Sequence, residues 1–209
     1  MLKIGHRGAA GHAPENTLAS IEKAIEFGVD VVEIDIRRSL DGHLMVMHDA
    51  RVDRTTGEHG YVHELKREEM QSVPTLAEVV AAVGSRAEIM IELKVRGIVE
   101  EALSDAGSHP VYLASFFHSE LLRVRELASS MRTIALIDGV PVLPTAFALE
   151  AKATHVGFGF DSLEPALVHS CRAAGLQIFT WTVDDPRDIA HAASLGVDGI
   201  ISNYPDRLP

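Results

Sequence analysis

His6, Glu33, Asp35, His48 and Glu92 are the residues of this chain whose types and settings could do chemistry together. Each lies in or just after a short apolar segment, in the strings IGHRG, VEIDI, DGHLMVMHD and MIELK. Segments of that kind read as β-strands. Glu33 and Asp35 are two apart, so on a strand both point to one face. Carboxylates held that close and buried repel strongly unless a cation lies between them. Glu92 ends another candidate strand and could bring a third oxygen. Three carboxylates with no cysteine and no His-x-His pair favour a hard ion, Mg²⁺ or Ca²⁺, over zinc. Imidazoles at His6 and His48 add groups that exchange protons near neutral pH. A hard cation between two histidines is equipment for opening a phosphate ester.

Each piece alone has a plainer reading. An E-x-D strand is commonly a salt-bridged barrel interior, and a histidine after a short strand commonly caps or packs. The other nine histidines lack comparable surroundings and read as structural or exposed.

The elements that must position these groups alternate along the chain. Candidate strands cover residues 2–5, 31–36, 44–47, 88–93, 111–115, 133–137, 155–160, 177–183 and 199–202. Between them lie helical patterns such as 15–28, 75–84, 119–128 and 186–196. Most strands are apolar along their length, as parallel strands covered on both faces are. Nine is one too many for an eight-stranded barrel. RRSLDGH, between the second and third candidates, leaves no room for a crossover helix, and Asp41-Gly42 is a two-residue hairpin signal. The third strand should therefore run antiparallel, leaving eight parallel staves. With Asp41 and Gly42 as the loop, Leu40 pairs with His43, and Asp35 falls opposite His48 on the same face. A slip of one residue would undo that pairing.

One domain is the default for 209 residues. No apolar tract is long enough to cross a bilayer, and no charged-then-apolar leader follows Met1. Cys171 is alone, so no disulfide framework exists. These features read as a soluble, cytoplasmic chain without stable membrane insertion. A formal net charge of -11 argues against nucleic acid as a partner. It also means that an anionic substrate needs a local cation.

Taken in order, HRG, PENT, E-x-D, DG followed by HD, IELK, WTV and a closing GVDGIISNYP resemble the glycerophosphodiester phosphodiesterase family, from Ile4 to Pro205. The resemblance implies a TIM-type (β/α)8 barrel that splits a small-molecule glycerophosphodiester into an alcohol and sn-glycerol 3-phosphate with a divalent cation. It puts the family's catalytic histidines on His6 and His48, and its metal carboxylates on Glu33, Asp35 and Glu92. Substrate-binding positions fall on Arg7, Glu15, Asn16, Lys94 and Trp181. Two departures stand out. Family members usually carry an inserted cap after the HD strand, and here residues 49–74 leave room only for a reduced one; many members also have Asp at the position of Asn203.

Four other readings compete. A lysophospholipase D-like enzyme on the same barrel would want an exposed apolar ridge for an acyl chain. A cyclising phosphodiesterase would attack with the adjacent glycerol hydroxyl in place of water. A non-catalytic phosphate-binding barrel would not need both His6 and His48. A zinc amidohydrolase would want two histidines one residue apart on the first strand, which HRG lacks.

Overall fold

The structure, a computed structural model, describes residues 1–209. Eight parallel strands close on themselves: β1 (Leu2–Gly5), β2 (Val31–Arg38), β4 (Glu88–Leu93), β5 (Val111–Ser115), β6 (Arg132–Ile137), β7 (His155–Gly159), β8 (Gln177–Trp181) and β9 (Gly199–Ser202). Closure is made by β1, which pairs with both β9 and β2. The antiparallel strand β3 (Leu44–Val46) hydrogen-bonds to β2 from outside the ring. Helices follow the staves: α1 (Leu18–Glu26), α2 (Leu76–Val83), α3 (Val99–Ala106), α4 (His118–Leu127), α5 (Ala146–Glu150), α6 (Pro165–Ala173) and α7 (Pro186–Ser194). This is the (β/α)8 barrel with an added hairpin strand that the alternation implies.

The two-residue period of the strands divides the core. On β2, Val32, Ile34 and Ile36 face outward and pack with Ile21 and Ala24 of α1 and Val79 and Val83 of α2. Val31 faces inward with Ile4, Met90, Tyr112, Ile134 and Phe179. By the same alternation Glu33 and Asp35 face inward, above that apolar plug and toward the C-terminal ends of the strands. Active sites of this architecture sit at that end.

Helix starts follow from the sequence. Thr17 caps α1 by accepting the Ser20 N–H, and Thr75 caps α2 in a reciprocal box with Glu78. Residues 49–74 carry two single 3₁₀ turns, Val62–Glu64 and Arg67–Glu69. Their apolar side chains Val52, Val62, Met70 and Val73 close over Met45 and Met47 as a small separate core.

The hairpin register departs from expectation. Ser39, not Leu40, pairs with His43, its N–H donating to the His43 carbonyl at 2.9 Å. Leu40, Asp41 and Gly42 make a three-residue loop, with Gly42 at φ +87°. Ser39 Oγ supports the longer loop, accepting the His43 N–H at 2.9 Å and donating to Asp41 Oδ1 at 2.7 Å. The ladder therefore pairs Ile36 with Val46, and the Met47 N–H donates to the Asp35 carbonyl at 2.9 Å. Asp35 stands opposite Met47, and His48 lies past the strand end.

Gly8 marks a close backbone approach near the site. It sits at φ +84°, and a Cβ there would meet the Ser20 carbonyl carbon at 2.5 Å. Gly8→Ala is expected to lower the melting temperature by about 4 °C or more, since positive φ and a backbone clash add at one residue. A thermal melt beside the parent checks this.

Candidate active site

The acidic cluster is set by strand register. Parallel pairing of β2 with β4 places Asp35 beside Glu92 and Glu33 beside Met90. One carboxylate oxygen from each of Glu33, Asp35 and Glu92 lies within 4.8 Å of the others. All three residues are buried, Asp35 to 1% exposure. Burial and the neighbouring carboxylates push Glu33 well above the usual carboxylate range, and the same two causes raise Glu92 to about 7. With all three acids ionised, the cluster would hold more negative charge than its surroundings neutralise. An all-oxygen donor set of this kind fits a hard divalent cation.

Two basic side chains partly offset it. Lys94 Nζ is 2.7 Å from Glu92 Oε1 and 3.6 Å from Asp35 Oδ1. Arg7 Nε is 3.3 Å from Asp35 Oδ2, a charge contact whose angles do not make a hydrogen bond. The Arg7 backbone adopts a left-handed φ of 51°, from which its N–H donates to Glu33 Oε2 at 2.8 Å. Asn16, also left-handed at φ 58°, donates Nδ2–H to Asp35 Oδ2 at 2.9 Å and accepts the Asp35 N–H at 3.3 Å. Two non-glycine residues in that region, both bonded to the acids, mark strain concentrated at the site.

His6, Arg7, Glu33, His48, Glu92, Lys94 and Trp181 line one cleft of about 220 Å³. Of the ten residues singled out in the sequence, Asp35, Glu15 and Asn16 stand behind its wall. Glu15 accepts Arg7 Nη1–H at 2.8 Å and a double hydrogen bond from Arg54 at 2.6 and 2.8 Å. Arg54, then Arg7, hold Glu15 at a pKa of about 2. Apolar lining comes from Met90, Phe116, Leu136 and Ile201 beside Trp181. Phe116 meets Trp181 edge to face at 5.7 Å, and the buried Trp181 Nε1–H has no acceptor.

The histidines reach the cleft by different routes. Pairing of Gly5 with Ser202 brings His6 next to Asn203, and His6 Nδ1 lies 2.7 Å from Asn203 Oδ1. Burial first, then the Arg7 guanidinium, keep the His6 pKa below its ordinary value, against opposing effects of Asn203, Asp35 and Asp184. His48, beyond β3, is held by its neighbours: its carbonyl accepts Arg37 Nε–H at 2.9 Å, and its Nδ1 lies 2.7 Å from Asp49 Oδ1. The expected ladder partnership of Asp35 and His48 is therefore replaced by local side-chain bonds. Arg54 bridges Asp49 and Glu15, with Nε 2.6 Å from Asp49 Oδ2, and keeps the Asp49 carboxyl well below its ordinary range.

Asn203, Asp184, Asp49, Arg54, Arg37 and Phe116 thus belong to the site, and sequence reasoning did not assign them there. Asp49 had a signal in its position directly after His48. Asn203 stands where many family members have Asp, and the others act through side-chain contacts that no motif announces.

Glu92 supplies a test of the unneutralised charge. A carboxyl whose folded value is raised above its unfolded value disfavours folding once pH exceeds both, and the penalty fades as pH falls toward the unfolded value near 4.5. Without cation, Glu92→Gln is expected to melt higher than the parent by about 2–4 °C or more at pH 8 and to lose most of that advantage by pH 5. Added Mg²⁺ or Ca²⁺ should raise the melting temperature of the parent and not of the variant.

Comparison with known proteins agrees with this geometry. The family model described as "Glycerophosphoryl diester phosphodiesterase family" matches residues 6–207. A glycerophosphodiester phosphodiesterase of Caldanaerobacter subterraneus subsp. tengcongensis is 33% identical, over 99% of this chain and 96% of its own length. That alignment spans 233 positions, more than the 209 residues here, so the relative carries segments that this chain lacks. A Bacillus subtilis glycerophosphodiester phosphodiesterase is 31% identical, over 99% of this chain and 84% of its own. Among solved structures, an Oleispira antarctica phosphodiesterase in complex with the product sn-glycerol-3-phosphate superposes with a TM-score of 0.89 at 25% identity, covering 98% of this chain and 94% of that one. An Agrobacterium tumefaciens glycerophosphodiester phosphodiesterase gives 0.85 at 28% identity, covering 99% and 98%. With a matching family model over nearly its whole length, relatives 31% and 33% identical over 99% of it and the same closed barrel, the chain belongs to the glycerophosphoryl diester phosphodiesterase family and is an enzyme of that family.

Proposed function

We propose that the protein hydrolyses small glycerophosphodiesters to an alcohol and sn-glycerol 3-phosphate, with a divalent cation, Mg²⁺ or Ca²⁺, held by Glu33, Asp35 and Glu92, and with His6 and His48 sharing the proton transfers. The observation that carries the reading is one cleft lined by two imidazoles and by Glu33 and Glu92, whose carboxylate oxygens lie within 4.8 Å of each other and of Asp35 just behind the wall. When bound, the cation supplies a positive centre for the phosphoryl oxygens. Arg7 and Lys94 sit beside the same acids and would take up the remaining phosphoryl charge. One imidazole removes a proton from the attacking hydroxyl, and the other gives one to the departing alcohol oxygen. Glu15 and Asn16 serve from behind, holding Arg7 and Asp35. Trp181 offers an aromatic wall to the glycerol or the alcohol. Residues 49–74 act as a reduced cap on a single barrel domain. The single buried thiol, Cys171, suits a cytoplasmic setting, and no helix is long and apolar enough to cross a membrane.

Release of glycerol 3-phosphate from glycerophosphocholine, glycerophosphoethanolamine and glycerophosphoglycerol checks this. His6→Ala and His48→Ala are each expected to lower turnover by at least about a hundredfold, and a chelator should abolish it until Mg²⁺ or Ca²⁺ is restored. Activity that survives both substitutions would remove the imidazoles from the mechanism. A cyclic phosphate among the products would make the neighbouring glycerol hydroxyl the nucleophile in place of water.

One observation favours a second reading, lysophospholipase D-like cleavage. From Gly139 to Leu149, after β6, the chain has no charged residue, and Val140, Val142 and Leu143 are exposed, Val142 to 98%. This apolar stretch follows the strand that lends Leu136 to the cleft wall, on the rim where an acyl chain would lie. Under this reading, the double substitution Val142→Asp with Leu143→Asp lowers turnover of micellar lysophosphatidylcholine about tenfold or more and leaves glycerophosphocholine unchanged. Equal effects on both substrates would remove it.

A further inference from the structure

We propose that Asp184 and Asn203 form a positioning relay that holds His6 with its proton on Nδ1, leaving Nε2 as an open acceptor at the cleft. The assignment rests on the hydrolytic reading above.

It follows from which groups can only donate and which can only accept. Asp184 follows β8, where the Val183 N–H bonds to the Ile201 carbonyl and brings residue 184 beside the end of β9. Asp184 Oδ1 accepts the Asn203 backbone N–H at 2.8 Å and the Ser202 hydroxyl at 2.9 Å. A backbone N–H has no acceptor role, so the Asp184 carboxylate is the acceptor. Its other oxygen, Oδ2, lies 2.7 Å from the Asn203 side chain, and a carboxylate oxygen there requires the amide NH₂ to face it. The amide is planar, so its carbonyl oxygen must then point the opposite way, toward His6. At 2.7 Å from that oxygen, His6 Nδ1 can only donate. In a neutral imidazole, Nε2 then carries the lone pair.

The amide orients the ring without placing a full negative charge on it. In the first step the attacking O–H can give its proton to His6 Nε2 while its oxygen bonds to phosphorus. The bond from phosphorus to the alcohol oxygen breaks, and that oxygen takes a proton from His48. Both bonds and both protons balance, and the rings exchange protonation states. Asp184 and Asn203 touch no reacting atom.

The test is ¹⁵N NMR of imidazole-labelled protein supplied with Mg²⁺, read beside steady-state kinetics on glycerophosphocholine. Assignment of His6 among eleven histidines comes from the His6→Gln spectrum. In the parent, His6 should show a protonated-type Nδ1 and an unprotonated-type Nε2. Asp184→Asn frees the Asn203 amide to turn over, and Asn203→Leu removes the acceptor. Both variants are expected to lose that single tautomer and to lower kcat at least about tenfold, with KM changed less than about twofold, as for a misplaced imidazole proton. A parent spectrum with the proton on Nε2 would overturn the relay. So would variants that keep the parent tautomer, whatever their kcat. The spectrum needs no turnover, so an inactive parent with the stated tautomer would count against the hydrolytic reading and not against the relay.

Discussion

The pairing of β2 with β4 governs the rest of the site. Because Asp35 lies beside Glu92 in a parallel ladder, with Glu33 one inward position earlier, three carboxylates meet in the barrel mouth. Backbone hydrogen bonds hold both strands, so the acids cannot drift apart to relieve their repulsion. The surrounding residues manage that charge. Arg7 turns its backbone amide onto Glu33, Asn16 clasps Asp35 from both sides, and Lys94 reaches across two of the acids. These contacts leave the cluster under-neutralised, so a protein-only barrel would gain by losing an acid. That the chain carries all three fits a site shaped around a cation.

Around this centre the cleft is two-sided. β2, β4 and the residues just past β1 and β4 contribute ionic groups, and the end of β8, β6 and the loop after β5 contribute Trp181, Leu136 and Phe116. A glycerophosphodiester has the same division, a charged phosphoryl centre joined to less polar carbon. The short segment after β3 works as a bracket. Its Arg54 ties Asp49, the neighbour of His48, to Glu15, the partner of Arg7, so one guanidinium links both flanks of the acid cluster. Having its own small core of Met45, Met47, Val52, Val62 and Met70, the segment holds Arg54 in place without a large cap domain.

Much of the fold was legible in the residues. All nine strands fall where apolar, β-branched runs were expected, because a buried parallel strand leaves an unmistakable apolar stretch bounded by turn residues. Their ends were less so: β2 continues through Arg37 and Arg38, whose long side chains gave no strand signal, and β8 stops at Trp181 although the apolar pattern runs to Val183. The hairpin shows why. Asp41-Gly42 suits a two-residue turn, but Ser39 has side-chain bonds that favour a loop one residue longer, and that choice shifts every cross-strand pair.

By itself the sequence determined the kinds of groups available and their sidedness: Glu33 and Asp35 share a face because a strand repeats every two residues, and an all-oxygen set calls for a hard cation. It also determined the family, through motifs kept in order along the chain. The tertiary structure alone decided which groups meet. It put Asp35 beside Glu92, brought Asn203 and Asp184 to His6, sent Glu15 and Asn16 behind the wall and placed Arg54 between Asp49 and Glu15. Those outcomes depend on register between strands far apart in the chain and on the closure of the ring. Neither is encoded in any local spacing, since each arises only when all the staves pack at once.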